Sequence, residues 1–343
     1  MSYEVTIGIP VYMAVDYIGK TMESALNQSY ESIEYLIIDD CGKDGSIDIV
    51  EKIKSQHLRG KDIRILYNDQ NCGVGFTRNR ILEEAHGKYL YYLDSDDIIE
   101  PNTIMLLMDT IRKHKADVAY GSLERINLVG KTQTQCMILP NLFIDSEDGM
   151  ATYAFKNYNS FPISVCNCLM SVAFLRNNNL HFINAAYWED WAFTYDMVVK
   201  VGRAVLLSYI TYHYQCRSGS LSHYQERDYL EKKEILDNVS TMNYMKSRCY
   251  SLIGKDYLPY LCYNLEMNCF YIICHIIKNY CRIIPHVSYS EMKTILKYPM
   301  SSHEVLRYKY KFMPNLLLWL LSIIPLFMSL PIIWVAGRWK RVL

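Results

Sequence analysis

Asp94-Ser95-Asp96, with Asp97 beside it, closes the segment Lys88-Tyr89-Leu90-Tyr91-Tyr92-Leu93, so a stretch that reads as a buried strand ends in three carboxylates. The sheet fixes the first carboxylate, and the turn aims the next ones into the crevice where an α/β sheet opens. Carboxylates this close repel one another. A hard cation such as Mg²⁺ or Mn²⁺ relieves that repulsion, and Mg²⁺ uses one or two carboxylates with phosphate oxygens rather than a full protein cage. The chemistry implied is metal-assisted handling of a phosphorylated ligand. Taken alone, the triplet reads more simply as a solvated turn capping the helix that starts near Pro101. Two further acidic pairs stand out: Asp39-Asp40 ends another apolar run, and Glu189-Asp190 sits between Trp188 and Trp191, where on its own it would simply open a helix with acidic residues at its positive end.

Such side chains need elements to hold them. Val5-Thr6-Ile7-Gly8-Ile9-Pro10 reads as a first strand, and Tyr17, Ile18, Met22, Ala25 and Leu26 recur after it at helical spacing. Glu34 to Ile38 is a second strand; Asp44 or Ser46 can cap the next helix, which carries Ile47, Ile49, Val50 and Ile53 inward. Ile63 to Tyr67 is a third strand, a helix follows from about Gly75 to Ala85, and Lys88 to Leu93 is the fourth strand. This alternation predicts a mainly parallel sheet with helices on both faces and ligands beyond the strand carboxyl ends. Asp39, Asp40, Asp94 and Asp96 all stand at such ends.

Four stretches in this order form a more specific pattern. They are Ile9-Pro10-Val11-Tyr12 with the helix ending Ser24-Ala25-Leu26-Asn27-Gln28-Ser29-Tyr30; Ile37-Ile38-Asp39-Asp40-Cys41-Gly42-Lys43-Asp44-Gly45-Ser46; Asn71-Cys72-Gly73-Val74-Gly75-Phe76-Thr77-Arg78-Asn79 ahead of Gly87-Lys88-Tyr89 and the Asp-x-Asp; and Trp188-Glu189-Asp190-Trp191. From about Val5 to Ser222 the chain resembles the inverting glycosyltransferases of family 2, which have the GT-A fold. One departure stands out: the family's double-Asp turn usually continues Gly-Ser, whereas Cys41-Gly42-Lys43 intervenes here.

The resemblance implies a role for each matching residue. Pro10 and Tyr12 line the nucleotide pocket, and Asp39 recognises the base, with uracil N3-H as a fitting donor to a carboxylate. Asp40 either touches the ligand or, as a second aspartate in a turn often does, caps backbone N-H groups. Arg78 reaches the nucleotide or diphosphate, where a guanidinium fork matches phosphate oxygens. In Asp94-Ser95-Asp96 the direct metal ligand is Asp96; Asp94 lies nearer the ribose or sugar and is the second metal-side carboxylate, and Asp97 orients the others or starts the next helix. Asp190 is the general base for an acceptor hydroxyl, and Glu189 binds the acceptor or holds Asp190. Within Tyr212 to Ser222, which resembles the segment folding over the diphosphate, Arg217 and Ser220 are the contacts and Gly219 lets the loop close. The implied donor is a UDP-sugar with Mn²⁺ or Mg²⁺. The alternative is a catalytically silent nucleotide-sugar-binding or scaffolding subunit, which would be expected to lose one of the acidic pairs.

Composition agrees with this reading. Lys plus Arg equals Asp plus Glu at 36 each, so the chain lacks the basic footprint of a nucleic-acid binder. Met1-Ser2-Tyr3-Glu4 leads directly into the first strand without a signal peptide, and 11 cysteines in no framework spacing read as reduced thiols. Both point to the cytoplasmic side of the membrane, where nucleotide sugars are made. A nicotinamide oxidoreductase would share the sheet, but Gly73-Val74-Gly75-Phe76-Thr77-Arg78 lacks a third glycine and follows the third strand.

The expected organisation is a nucleotide-sugar-binding half (1–125), an acceptor-binding half (126–225), a helical extension (226–310) and a hydrophobic membrane-associated segment (311–343). Tyr229 to Cys249 and Tyr257 to Tyr280 have helical patterns. Leu316 to Ala336 holds no charge and is long enough to cross a bilayer, with Arg307, Lys309 and Lys311 before it and Arg338, Lys340 and Arg341 after. Pro325 and Pro331 would kink a spanning helix, so a broken pair lying in the interface or re-entering fits equally, and a buried C-terminal helix docked on the soluble domain is the plainer alternative. Attachment there suits an acceptor on a polyprenyl diphosphate, as in assembly of a capsule, exopolysaccharide or O-antigen.

Overall fold

A computed structural model describes residues 3–127, 135–158, 165–185, 187–216 and 229–343. The chain forms two compact units, one of residues 1–150, 162–184 and 189–220, the other of 151–161, 185–188 and 221–343.

The first unit runs β1 (Val5–Val11), α1 (Ile18–Leu26), β2 (Ile33–Asp39), α2 (Ser46–Gln56), β3 (Ile63–Tyr67), α3 (Val74–Glu84), β4 (Tyr89–Tyr92), β5 (Ile98–Ile99), α4 (Thr103–His114), β6 (Val118–Asn127), β7 (Gln135–Met137) and β8 (Leu142–Asp145). After α5 (Gly149–Asn157), most of which belongs to the second unit, it continues with β9 (Cys168–Ser171), α6 (Val172–Asn177), α7 (Glu189–Val198) and β10 (Arg203–Cys216). The sheet order is β3-β2-β1-β4-β9-β6-β10-β5, with β7 on β6 and β8 on β10. The first four strands are parallel, and β9 enters antiparallel between β4 and β6. The α/β fold with flanking helices is the expected one, and the four expected strands start and stop within a residue of their predicted ends, but the sheet is mixed rather than mainly parallel, because β5, β7, β8 and β9 all pair antiparallel. Every residue of β1 is buried, as a central parallel strand covered on both faces requires. Ile18, Met22, Ala25 and Leu26 bury one stripe of α1.

The sheet reverses its winding at β1: β2 and β3 lie to one side of it and β4 to the other. An open α/β sheet has its ligand crevice at this point, beyond the strand carboxyl ends. Pro10, Tyr12, Asp39 and Asp94 all fall there, because β1–β4 pairing ends at Gly8↔Tyr92 while β1–β2 pairing continues to Val11↔Asp39.

The second unit is mostly helical: α8 (Lys232–Arg248), α9 (Leu258–Lys278), α10 (Tyr289–Ile295), α11 (Ser302–Val305), α12 (Phe312–Ile323) and α13 (Leu326–Trp339), with β11 (Leu230–Glu231) paired in parallel to β12 (Ile283–Ile284). Asn315 anchors α12 on α9: its amide donates to Pro259 O at 2.9 Å and its carbonyl accepts from the Tyr298 hydroxyl at 2.6 Å. Lys246 and Glu266 form a buried ion pair at 2.6 Å, and the same ammonium donates to Ile295 O and Lys297 O. Burial pushes the Glu266 carboxyl up to about 7 against the pull of Lys246. Lys246→Met leaves that carboxyl without its cation, so the variant loses about 3–5 kcal/mol in denaturant unfolding. The folded-state value already exceeds the unfolded one and rises further without Lys246. The variant is therefore most stable at low pH, where Glu266 is protonated in both states, and weakens as pH rises through and beyond 7.

The C-terminal expectation of a single span is corrected. Among the described residues no helix is long and apolar enough to cross a membrane. The uncharged stretch breaks at Ile324, whose backbone is extended (φ −65°, ψ 153°) ahead of Pro325. A proline lacks the N-H that would continue the helix and excludes the preceding residue from helical geometry. The two pieces have 12 and 14 residues, about 18 and 21 Å, against a hydrocarbon core of about 30 Å. The structure therefore has two short helices where one span was expected.

Candidate active site

At the carboxyl ends of β1, β2 and β3, Val11, Asp39 and Tyr67 lie side by side in register. Tyr12, just after Val11, and Tyr67 are 49% and 52% exposed. Among the described residues the Asp39 carboxylate accepts only the Gly42 N-H, through Oδ1 at 3.1 Å, leaving Oδ2 open to a ligand donor. A cavity of about 440 Å³ opens here, lined in part by Asp39, Cys41, Lys43, Asp44, Tyr67 and Asn68. The turn bearing the extra Cys41-Gly42-Lys43 is tied down from below: Asp44 Oδ2 accepts Val15 N-H and Ser46 Oγ accepts Ala14 N-H. Neither side chain caps α2 as expected. That place falls to Gly45 at φ 86°, and Asp44 and Ser46 instead hold the backbone just after Tyr12.

Asp40 is turned away from the crevice. It is buried and accepts Asn68 Nδ2 at 2.7 Å and the N-H groups of Cys72 and Gly73 at 2.9 Å each. Of the two roles open to it, the structure shows the backbone cap: it staples the loop that starts α3.

Arg78, on α3, connects the two acidic motifs. It is 4% exposed, with Nη1 at 2.7 Å from Glu189 Oε1 and Nη2 at 2.7 Å from Asp94 Oδ1. Its carbonyl accepts the Tyr92 hydroxyl, and its guanidinium lies 5.5 Å from the Phe182 ring centroid. Phe182 is held by a reciprocal pair with Asn79, 2.7 and 2.8 Å, and stacks on Phe193 of α7 at 4.2 Å. Gly75 makes room for this assembly, since a Cβ there would come within 3.3 Å of Glu189 Cγ and 3.1 Å of Ile183 O. In this structure, then, the Arg78 fork is engaged by the carboxylates of Asp94 and Glu189.

The Asp-x-Asp turn is closed by Asp97 N-H donating to Asp94 O, and Ser95 O accepts the Thr21 hydroxyl. Asp94 and Asp96 are partly exposed, while Asp97 is buried and accepts the Tyr212 hydroxyl at 2.6 Å and Gln215 N-H at 2.8 Å. Burial, reinforced by Asp94 and Asp96, pushes the Asp97 carboxyl up to about 8. Asp97 thus locks the turn to β10 and does not start the next helix, α4, which begins at Thr103. No cluster of three His, Cys, Asp or Glu side chains able to hold a metal occurs among the described residues. Two partly exposed carboxylates, one already bound to Arg78, cannot cage a cation, but they fit one that takes its remaining ligands from a diphosphate and water.

Glu189 and Asp190 open α7, with Trp188 in the left-handed region (φ 62°) just before them. Asp190 keeps part of its surface toward solvent, and Oδ1 accepts the Trp191 N-H at 2.8 Å. Crowding by the surrounding protein raises its proton affinity, opposed by Arg78 and assisted by Asp94. Glu189 is pushed up to about 7 by burial and by Asp190, against Arg78.

Residues 6–177 match the sequence model for glycosyl transferase family 2, half of the chain. The chain is a member of that family. Over 280 residues it is 26% identical to the glycosyltransferase GlyG of Streptococcus pneumoniae, covering 77% of this chain and 91% of that one. A similar match, 26% over 253 residues and 71% and 90% of the two chains, is to WfaP of Escherichia coli, a UDP-Glc:alpha-D-GlcNAc-diphosphoundecaprenol beta-1,3-glucosyltransferase. In fold, this glycosyltransferase matches Staphylococcus aureus TarS 1–349 in complex with UDP-GlcNAc with a TM-score of 0.65 at 18% identity, over 93% and 90% of the chains.

Of the expected positions, Asp39 lines the cavity, Pro10 is buried one residue before the end of β1, Tyr12 follows that end, and Asp94, Ser95 and Asp96 lie on the turn after β4, where Arg78 joins Asp94 to Glu189. Arg217 and Ser220 lie outside the described residues. Two contributors were not singled out in the sequence: Tyr67, whose only signal was its place at the end of the third strand, and the Asp97–Tyr212 link, which joins residues 115 apart.

Proposed function

We propose that this glycosyltransferase moves a sugar from a UDP-sugar to a hydroxyl of a lipid-linked saccharide, inverting the anomeric centre, in the synthesis of a cell-surface polysaccharide. The observation that carries the reading is the Arg78 bridge: one guanidinium joins Asp94, on the Asp-x-Asp turn, to Glu189, the neighbour of the base. In this reading one cation ties the carboxylate on the leaving-group side to the neighbour of the proton acceptor. UDP-GlcNAc bound to TarS and the lipid-diphosphate acceptor in WfaP's name support the donor and acceptor classes. A lipid-linked acceptor and a cytosolic donor place the enzyme at the cytoplasmic face of the membrane.

In this reading the uracil lies between Tyr12 and Tyr67 with its N3-H on Asp39 Oδ2, and Pro10 and Ser95 line the path to the sugar. A divalent cation held by Asp96 and Asp94 would stabilise charge on the departing diphosphate. Asp190 accepts the proton of the acceptor hydroxyl as its oxygen bonds to the anomeric carbon from the face opposite the breaking C-O bond. Its raised proton affinity makes it a better base. Glu189 keeps Asp190 in place, and Arg217 and Ser220 are proposed as contacts to the diphosphate.

Asp39→Ala removes a charged acceptor and lowers UDP affinity by about 1.5–3 kcal/mol, a ten- to hundredfold rise in Kd. The preference for UDP over CDP, whose N3 carries no hydrogen, disappears with it. Titration calorimetry with both nucleotides reads the two effects. The reaction itself is tested by incubating UDP-glucose, UDP-galactose and their N-acetyl forms with Mn²⁺ and membrane-extracted lipid acceptors. Sugar transferred to lipid from one of them is the expected result; UDP bound but no sugar transferred from any of them overturns the reading.

A further inference from the structure

The last two helices of the second unit are apolar on the side they expose. On α13 the inward stripe Leu326, Ser329, Ile333 and Gly337 is buried, while Phe327, Met328, Ile332, Trp334, Val335 and Trp339 are exposed, Phe327 by 69% and Trp339 by 83%. On α12, Met313, Leu317, Leu320 and Ile323 are exposed as well. A surface helix ordinarily places charged residues where these stand, and an apolar face of this extent marks an interaction site.

The charge around the face says what covers it. From Val305 to Leu343 the chain has no Asp or Glu but carries Arg307, Lys309, Lys311, Arg338, Lys340 and Arg341, in a protein whose net charge is zero. All six basic residues are exposed. Arg338 lies over the Trp334 ring at 5.7 Å, joining the rim to the apolar face. Two copies related by a two-fold axis would bring like-charged rims together, which disfavours a dimer through this surface. An anionic lipid surface satisfies both features, taking the cations at its phosphates and the tryptophans at its interface. Neither helix can span, so the helices would lie in the plane.

We propose that α12 and α13 dock the protein in the plane of an anionic bilayer, with Phe327, Trp334 and Trp339 inserted below the headgroups and the basic rim on the lipid phosphates. The inference gives the proposed membrane location a surface but rests on the tail alone, so it stands or falls separately from the transfer chemistry.

Flotation of the full chain with vesicles, without donor or acceptor, tests it. Recovery with equal parts phosphatidylglycerol and phosphatidylcholine should exceed that with phosphatidylcholine alone by about tenfold and fall as salt rises. Phe327→Ser with Trp339→Ser, and separately Lys340→Gln with Arg341→Gln, should each lose most of that recovery while UDP binding and circular dichroism stay unchanged. Equal recovery on neutral and anionic vesicles overturns the proposal, as does no recovery on either. So does a concentration-dependent dimer in sedimentation that Phe327→Ser with Trp339→Ser abolishes, since a second copy would then be the occupant.

Discussion

Asp190→Asn lowers the transfer rate by a factor on the order of 10³, about 4 kcal/mol of barrier, while the Kd for UDP changes by less than about twofold. Asparagine preserves the shape and can still accept the Trp191 N-H, but it cannot take a proton from the acceptor hydroxyl. Activity of the unaltered enzyme should rise with pH along an acid limb displaced above the ordinary aspartate range, because crowding holds the Asp190 proton more tightly and the base must be ionised to work. Rate measurements from acid to neutral pH show this limb, and in Asp190→Asn it disappears. A variant that transfers sugar at the normal rate means that Asp190 is not the base.

The second large effect falls on stability. Arg78→Met leaves Asp94 and Glu189 without the cation between them, Glu189 being almost wholly buried. Removing one partner of a buried ion pair costs about 3–5 kcal/mol, so Tm should drop by on the order of 10 °C, with transfer lost as well. Without Arg78 the folded-state Glu189, already at about 7, binds its proton more tightly still. Its contribution is then fully present below the unfolded value near 4.5 and lost as pH rises through the folded one, so the variant's deficit narrows under acid conditions. Adding Glu189→Gln should restore part of the stability and none of the activity. A double variant as unstable as the single one would show that Arg78 acts through packing on Phe182 instead.

The parts of the protein readable from its sequence are those governed by local pattern. β1 to β4 and their helices were legible because apolar runs and helical spacing alternate without interruption, and the strand ends then placed Asp39 and Asp94 at the crevice. What stayed hidden depends on contacts between distant residues. Arg78 meets Glu189 across 111 residues, so a fork suited to phosphate could not be seen to be occupied by carboxylates. Asp40 looked the same as Asp39 in sequence, yet its one-residue offset at the strand end turns it onto Asn68, Cys72 and Gly73. The antiparallel entry of β9 between β4 and β6 had no periodic signal in four residues. Pro325 did carry its message: hydropathy alone favours a span, and the missing N-H decides for a break.

The central claim, that the crevice at β1 binds UDP through Asp39 and its diphosphate through a cation at Asp94-Ser95-Asp96, is tested most directly by calorimetric titration of UDP into the full chain. The account predicts saturable binding that Mn²⁺ strengthens, with the metal's contribution removed by Asp96→Ala and the whole affinity reduced at least tenfold by Asp39→Ala. UDP affinity that is the same with and without Mn²⁺ and unmoved by either substitution would contradict it.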